Sequence, residues 1–482
     1  MKRLFSAAFA LVVSGAFAQN IDDVVRYSQT STGGTALSLG MSGATGAVGA
    51  DFSNASTNPA GLGLYRQSEF AGSPSIFNCS SIASYYGTQE SDRKFNFNIS
   101  NMHLVLHTPA ANRLKTKGWM GSTFAIGYNK NTNLAEQWTF RGVNPSGSIV
   151  NAFAAAANGK TPDQLINADE YLAYQAYLID PSTDSSVYTS LEGPRFGGIT
   201  QRGTMEARGR SGETDIAFAG NYSNRLYLGA TLAIRRIIYD RTFTYSERDD
   251  ADTIASFNNL VYTNTQTDKA SSIALRLGAI YRVNDFVRLG ASAFVPLDYT
   301  INTDYSYSMT SSLSSGEHDA GTRTGTFKYK MRQPARFTGS AAFIIAKKGI
   351  ISVDYEAVNY SQTKLIESSG MFDGTNDVIH EKLQATSNIR IGAEARFDEN
   401  MYLRGGYQLL GDPYSSSTNN QGVKSFSLGG GYRDRDFFFD VAYVYSKQSK
   451  DYYAYNPNLS SVLPAALSIN RHNFVVTIGS RF

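Results

Sequence analysis

The chain has 482 residues, of which 18% are charged and 12% are aromatic, and tyrosine (30) far exceeds tryptophan (2). A net charge of +3 is close to neutral for this length and argues against a nucleic-acid partner. The only cysteine, Cys79, excludes an intramolecular disulfide, and no segment beyond the N-terminus offers the roughly 18 consecutive apolar residues of a membrane-spanning helix.

The first 18 residues have the organisation of a secretory signal peptide. Lys2 and Arg3 precede an apolar stretch over residues 4–13, and Ala16 and Ala18 place small residues where a signal peptidase reads, which predicts cleavage before Gln19. The residue directly after that site is Gln19 and not a cysteine, which argues against a lipoprotein anchor. An exported chain that is rich in tyrosine and glycine and polar on average is typical of a transmembrane β-barrel, in which only alternate residues of a strand are apolar.

Residues 19–65 lack the alternation of a strand. Small residues and glycine are dense from residue 33 onward, and Asn58, Pro59 and Ala60 form a short motif near the end of the segment. Glycine permits close backbone approach and proline fixes its own backbone angle. The segment therefore suits a compact plug, or hatch, inside a narrow lumen, although its composition alone favours a flexible periplasmic tail.

The first well-patterned strand changes phase in its middle. Over residues 95–107, Phe95, Phe97 and Ile99 fall on one face, whereas Met102 and the alternate residues after it fall on the other. This change predicts a β-bulge at Ser100 and Asn101, because a bulge inserts one residue and bends the strand. The bend either opens the wall or only adjusts its curvature, and the competing place for an opening is the next strand, through Gly121 and Gly127.

A helix is predicted inside the long connection that follows, at about residues 148–180. Thr161, Pro162 and Gln164 have the N-cap, first-turn proline and capping-box pattern of a helix start. Leu165, Ala168, Leu172, Ala176 and Ile179 then recur at helical spacing, before Asp180 and Pro181 end the run. Such a helix either covers the mouth of a barrel or merely stabilises the loop.

Further strands show a strict period of two. Leu226 and Leu228, Leu275 and Leu277, and Ile389 and Ile391 belong to apolar faces that we expect to contact lipid. Polar side chains alternate with them and should face the lumen, where charged groups could anchor the hatch; the candidate anchors are Arg390, Glu394, Arg396 and Arg404. A soluble β-sandwich also alternates, but its strands are usually only ~5–6 residues long.

Short and long connections alternate along the chain. Very short polar turns are predicted at residues 223–224, 284–285, 347–349, 398–400 and 434–436, and longer connections near 143–199, 248–264, 310–321, 370–378, 411–421 and 453–467. This alternation is typical of a transmembrane barrel and leaves room for about fourteen strands. We therefore predict one antiparallel barrel over residues 66–482, ending in Phe482 after an alternating strand, the pattern that barrel-assembly machinery reads.

Three runs resemble the N-terminal hatch of the FadL/TodX family of outer-membrane transporters. They are residues 38–44, 49–53 and 58–62, the last of which contains the Asn-Pro-Ala motif of that hatch. Residues 389–394, 403–407 and 427–432 are also similar to late strands of the family, whereas residues 130–320 are not. The resemblance implies a 14-stranded barrel plugged from the periplasmic side.

It also implies passive uptake of fatty acids or aromatic hydrocarbons and their release sideways through the barrel wall. The alternative is a scaffold or shuttle component of a secretion machine. Expected partners are the hydrophobic ligand, membrane lipid, lipopolysaccharide and the assembly machinery, with the protein a monomer in the Gram-negative outer membrane.

Catalytic chemistry is not indicated by the five histidines, and no cofactor is expected. His103 and His107 have the spacing of metal ligands on a helix, but four residues of a strand span ~13 Å. We therefore expect neither an enzyme nor a metal site.

Overall fold

The computed structural model describes residues 17–29, 31, 33–111, 117–165, 169–182, 186–190, 198–346, 348–416 and 421–482, without the side chains of residues 17–20. Most of the predicted signal peptide, and the turn residue Lys347, lie outside these ranges.

Helices are few and short. The α-helices are α1 (Phe17–Ser28), α2 (Ala36–Gly40), α3 (Ile149–Ala157), α4 (Asp169–Gln175) and α5 (Asp373–Lys382), and 3-10 turns span Phe52–Ser56, Pro59–Leu64, Pro162–Gln164 and Tyr360–Gln362. Among the described residues, no helix is long and apolar enough to cross a membrane.

Strands make up most of the chain. They are β1 (Glu69–Tyr85), β2 (Thr88–Pro109), β3 (Trp119–Asn133), β4 (Glu136–Asn144), β5 (Ile179–Pro181), β6 (Tyr188–Ser190), β7 (Ile199–Tyr222), β8 (Leu226–Arg248), β9 (Phe257–Arg282), β10 (Val287–Pro296), β11 (Tyr299–Leu313), β12 (Gly316–Arg332), β13 (Arg336–Ile345), β14 (Gly349–Asn359), β15 (Lys364–Ile366), β16 (Ala385–Arg396), β17 (Met401–Leu410), β18 (Val423–Arg433), β19 (Phe437–Tyr452) and β20 (Ala465–Arg481).

The main sheet closes on itself. Every neighbouring pair is antiparallel, and β1 pairs with both β2 and β20. Four positions of the wall are each formed by two consecutive segments (β3 with β4, β10 with β11, β12 with β13, β14 with β15), so the barrel has 14 strands, as predicted. The small hairpin of β5 and β6 stands apart from the wall.

The outer surface of the barrel is apolar. Leu277 is 50% exposed on the outside, whereas its neighbour Arg276 is 6% exposed and pairs with Glu213 inside. Leu228, Leu275 and Ile391 are exposed in the same way, and Leu226 and Ile389 are half-buried on that same face. A closed barrel with a continuous apolar exterior is a barrel that spans a membrane.

The predicted short turns lie at one end of the barrel. Ser223 and Asn224 both have positive φ, at 55° and 54°, which is the geometry of a two-residue hairpin turn that matches the twist of its strands. The prediction of a long connection over residues 310–321 is wrong. β11 continues to Leu313 and β12 begins at Gly316, because polar alternation can continue a strand beyond the membrane.

The single helix predicted after Thr161 is also wrong in its extent. The capping box at Thr161 and Gln164 is present and begins a 3-10 turn, and α4 begins at Asp169; Ala168 of the predicted helix lies outside the described residues. Tyr177 has a φ of 55°, which ends the helical path before Ile179 enters β5. A further helix, α3, precedes the capping box and starts at the N-cap Ser148.

The outward facing of Leu277 generates the first test. Leu277→Arg should destabilise the folded barrel by ~2–4 kcal/mol, because it places a charge against lipid. Urea unfolding of the protein in lipid vesicles measures this cost. Ser315→Arg, in the tight turn between β11 and β12, is the matched control and should leave stability unchanged; equal stability of the two variants would contradict the assigned facing.

Candidate functional site

An N-terminal insert, which we define as residues 33–65, fills part of the barrel lumen. It contacts strands on all sides of the barrel: β3, β7, β8 and β9 on one side and β17, β18, β19 and β20 on the other. Almost all of its residues are buried. A segment that touches opposite walls of a closed barrel must lie inside it.

The predicted motif sits where the insert meets β8 and β9. The Asn58 side-chain amide donates to the carbonyls of Gly46 (2.7 Å) and Ala279 (3.2 Å), and its Oδ1 accepts from the Ala60 amide. Pro59 occupies the first turn of the 3-10 helix that follows. Asn58 therefore satisfies backbone groups that belong to no sheet and ties the insert to the wall.

Glycines on the wall make room for the insert, a signal that the sequence analysis did not use. A Cβ on Gly278 would lie 2.0 Å from Asn58 Oδ1, and one on Gly229 would lie 2.4 Å from the Pro59 backbone. On the opposite wall, a Cβ on Gly392 would lie 2.6 Å from the Met41 carbonyl oxygen. Inward-facing glycine on a strand often marks close approach of another backbone.

The four predicted anchors differ in position. Arg404 packs against Gly40 of the insert and is paired with Glu394 and Asp440. Arg390 is buried and pairs with Glu356 at 3.2 Å, next to the insert residue Gly46 in a small cavity.

Arg396 is not placed as an anchor. It is exposed, and its guanidinium donates to the carbonyls of Asp398 and Glu399 in the turn that follows β16. It follows the same alternation as the other anchors but lies at the end of the strand, where the lumen meets solvent. The alternation of the strand therefore predicts correctly which face Arg396 lies on, but not that Arg396 lies at the end of the barrel.

Several anchors were missed because their partners are distant in sequence. Asp354 accepts from the Gly46 amide at 3.1 Å, Arg288 donates to the Val48 carbonyl at 2.8 Å, and Thr477 Oγ1 accepts from the Ala36 amide at 2.7 Å. Each joins a wall side chain to a backbone group of the insert, which no local pattern can reveal.

The wall is irregular where β2 meets β3. Against β1, the partner of Ser73 is Asn101 but the partner of Pro74 is Ile99, so Ser100 is an extra residue. This is a β-bulge at the place that the phase change predicted. On its other side, β2 pairs with β3 only from Asn101 to Pro109, and no pairing partner is found there for its preceding residues among the described strands.

The chain that follows β3 does not continue alongside β2 but turns into the lumen as β4. The register of β3 against β7 shifts between Lys130 and Thr132, and β4 then continues along β7 while contacting β1 and β2. The hydroxyl of Ser81, an inward side chain of β1, donates to the Gln137 carbonyl at 2.5 Å. Because β4 crosses the inner face of the wall, a break is left between β2 and β3, which we call the wall break (residues 98–100 and 130–134).

The insert covers the wall break from inside. Ser100 Oγ donates to the Gly34 carbonyl at 2.8 Å, and Ser31 Oγ donates to the Asn131 carbonyl at 2.5 Å. Just below, the Phe52 ring of the insert stacks on His103 at a centroid distance of 4.6 Å. His103 therefore lies in a structural cluster, and the described residues contain no group of three or more side chains that could hold a metal ion.

A cavity of about 250 Å³ adjoins the wall break. Its lining includes α1, the break and the inner faces of β17, β18 and β19. Apolar side chains such as Phe77, Leu134 and Trp138 share this lining with charged ones such as Arg26 and Glu136. The cavity is thus amphipathic, which suits a ligand with one apolar and one polar part.

The end of the barrel that carries the long loops is covered. α3 and α4 pack into a cluster of buried aromatic and aliphatic residues that includes Phe140, Phe153 and Tyr262. The buried carboxylate of Glu247 holds the start of α3, accepting from Ser148 Oγ (2.5 Å) and the Ile149 amide (2.9 Å). A carboxylate at a helix N-terminus is a favourable arrangement.

Solved structures share this fold. The toluene transporter TodX of P. putida is 12% identical, with 94% of this chain and 99% of that chain covered and a TM-score of 0.54. A Pseudomonas aeruginosa FadL homologue is also 12% identical, with the same coverage and a TM-score of 0.56. No protein-family model matches the sequence, and no curated protein matches it either.

The glycine contacts give a test of how the insert is seated. Gly278→Val should displace the insert, because its side chain would overlap Asn58 and Pro59. We expect cells carrying this variant to admit small hydrophilic antibiotics more readily, as measured by growth inhibition. Gly339→Val is the control, since a Cβ there meets nothing within 4 Å. Equal resistance of the two strains, with both barrels folded, would mean that the insert does not close the lumen.

Proposed function

We propose that the protein is an outer-membrane channel that takes up hydrophobic small molecules passively and releases them sideways through the wall break. The observation that carries this proposal is the adjacency of the amphipathic cavity to the break. A molecule in the cavity faces a part of the wall that no backbone ladder closes. TodX, which shares the fold, is a toluene transporter, and this supports a hydrophobic passenger.

In this proposal the N-terminal insert is the hatch. A barrel of 14 strands falls between small barrels that are filled by side chains and the ~16–18-stranded porins with open aqueous channels. An occupied lumen therefore keeps small polar solutes out. Ser31 and Gly34 would belong to the moving part, because they are held over the break only by hydrogen bonds with the hydroxyl groups of Ser100 and Thr132 and by the bond from the Ser31 hydroxyl to the Asn131 carbonyl.

The same proposal includes the export of the protein, its assembly and its contacts with the membrane. The signal peptide of residues 1–18 would direct export, and assembly machinery would read the last strand, in which Phe474, Ile478 and Phe482 are exposed on the outer face. Lipid and lipopolysaccharide would contact the apolar exterior of a monomer. Passage of the molecule would require only that it displaces weak contacts, with no catalytic step and no cofactor.

Restoring the regular wall should block release. Deletion of Ser100 puts Phe95, Phe97, Ile99 and the following outward residues into one continuous alternation, so the barrel should still assemble. We expect uptake of hydrophobic compounds to fall several-fold, measured with radiolabelled substrate in whole cells. Deletion of Ser122, in the regular part of β3, is the control that should impair assembly itself. Normal uptake by an assembled Ser100 deletion would remove the break from the pathway.

Growth of a deletion strain separates transport from the secretion alternative. A strain lacking the protein should grow more slowly than its parent on fatty acids or aromatic hydrocarbons as carbon source, and at the same rate on a hydrophilic sugar. Normal growth on every hydrophobic compound, together with loss of secreted proteins from the medium, would favour a scaffold or shuttle role instead.

A further inference from the structure

Three cations lie close together on the outer surface of the barrel. Arg210 of β7 and Lys269 of β9 are the two residues directly opposite Ile238 of β8, one on each side. Arg236 lies two residues along β8 from Ile238 and is therefore diagonal to both cations. Diagonal neighbours on one face of a sheet are ~7–8 Å apart, which long side chains can span. The three side chains, which we call the cationic triad, can therefore meet around Ile238.

The cationic triad faces away from the lumen. Ile238 is 37% exposed, whereas its neighbours Ile237 and Tyr239 are buried, so Ile238 lies on the outer face of β8. Residues directly opposite each other lie on the same face of a sheet, so Arg210 and Lys269 are outward as well. All three cations of the triad are exposed. They therefore surround an apolar side chain on the exterior of the barrel.

The cationic triad lies at the outer edge of the apolar band. β8 begins at Leu226, shortly after the tight turn of Ser223 and Asn224, and Arg236 follows ten residues later. At ~3.3 Å per residue and a strand tilt of ~40°, this stretch rises ~25 Å, which is about the height of the apolar band of an outer-membrane barrel. Short turns lie on the periplasmic side of such barrels. The triad is therefore level with the head groups of the outer leaflet.

The neighbours of the cationic triad do not compensate its charge. The residues directly opposite its members on the adjacent strands are uncharged: Asn133, Gly212, Ile238, Ser271 and Asn302. Within the described part of the chain, none of the three cations forms an ion pair. The nearby carboxylate of Glu206 pairs instead with Lys94 and Arg208. Adjacent like charges on a sheet are destabilising, and an anion bound between them would remove that repulsion.

A phosphate group on a lipid has the chemistry that this place requires. Arginine can bind a phosphate through two parallel hydrogen bonds, and lysine binds it as a point charge. Toward the middle of the membrane, the exposed side chains of Ile234 and Ile273 lie directly opposite each other and continue the apolar face. An inorganic anion would use only the charged part of this surface. A phosphorylated glycolipid with several acyl chains, such as lipopolysaccharide, would use both parts.

We propose that the cationic triad binds a phosphate group of lipopolysaccharide and so fixes one glycolipid molecule against β7, β8 and β9. This assignment rests on the outer-membrane location that belongs to the proposed function. Arg210 is also directly opposite Asn133, a residue of the wall break. The bound glycolipid therefore lies beside the break on the outside of the barrel, where a molecule released sideways enters the membrane.

Binding of two lipids that differ only in phosphate tests the proposal. The full protein, folded in a nonionic detergent free of lipopolysaccharide, is titrated with bisphosphorylated lipid A, the membrane-embedded part of lipopolysaccharide, or with the same lipid A after enzymatic removal of both phosphates. EDTA is present so that no divalent cation bridges phosphate to carboxylates. Native mass spectrometry measures the Kd of the first bound lipid. We expect the phosphorylated lipid to bind about ten- to a hundredfold tighter, the range of hydrogen bonds to charged groups.

Charge-matched double variants assign that preference to the cationic triad. Arg210→Gln with Arg236→Gln should weaken binding of the phosphorylated lipid about tenfold or more and leave the dephosphorylated lipid unchanged. The control is Lys424→Gln with Lys447→Gln, which removes two exposed lysines that are directly opposite each other on β18 and β19. Lys447 also lies ten residues after the start of its strand, so this pair has the same height but no arginine. The control should change neither affinity, and heat-modified migration on gels shows that each barrel is folded.

The opposite results separate the site from the channel. Equal affinities of the two lipids for the unaltered protein, or an equal loss in both double variants, would overturn the site and leave the channel proposal intact. Displacement of the phosphorylated lipid by millimolar inorganic phosphate would assign the triad to a free anion and so contradict the glycolipid. Tight lipid binding together with normal growth of the deletion strain on every hydrophobic compound would overturn the channel proposal and leave the site intact.

Discussion

A strand that crosses lipid must have its backbone amides and carbonyls hydrogen-bonded, because the hydrocarbon offers no substitute for water. Ladders of 23 residue pairs on each side of β8 meet this demand. At the wall break β2 has no adjacent strand on the side of β3, so the insert must supply hydrogen bonds there. Ser100 Oγ donates to the Gly34 carbonyl and Ser31 Oγ donates to the Asn131 carbonyl at this place, so the insert and the break depend on each other.

This dependence explains why the insert is seated so closely. Glycines on opposite walls admit its backbone, Asn58 donates to the Ala279 carbonyl of the wall, and Asp354 accepts from the Gly46 amide of the insert. The ion pairs beneath it, such as Arg276 with Glu213 and Arg390 with Glu356, are buried and balanced. Buried pairs contribute little net stability, but they penalise other arrangements of the insert.

Much of this could be predicted from the sequence, because membrane barrels obey local rules. The period of two gave the outward face of Leu277, the turn residues Ser223 and Asn224 gave a hairpin, and the phase change gave the bulge at Ser100. The inward turn of β4 and the position of α1 could not be predicted, because each depends on residues far apart in the chain. The position of Arg396 could not be predicted for a related reason: alternation indicates which face of a strand a residue lies on, but not how close it lies to the end of the barrel.

The barrel is closed at three places, which are the loop end, the lumen and the wall break, and these closures differ in strength. The loop end is held by an apolar cluster and by the buried carboxylate of Glu247, and the lumen is held by interlocked glycine contacts and ion pairs. At the wall break, Ser31 and Gly34 are held by hydrogen bonds in which hydroxyl groups take part, each worth only about 1 kcal/mol net. Local opening starts where the fewest buried contacts are lost. The wall is therefore the closure that opens at least cost, and this supports the sideways path of the proposed function over a path through the lumen.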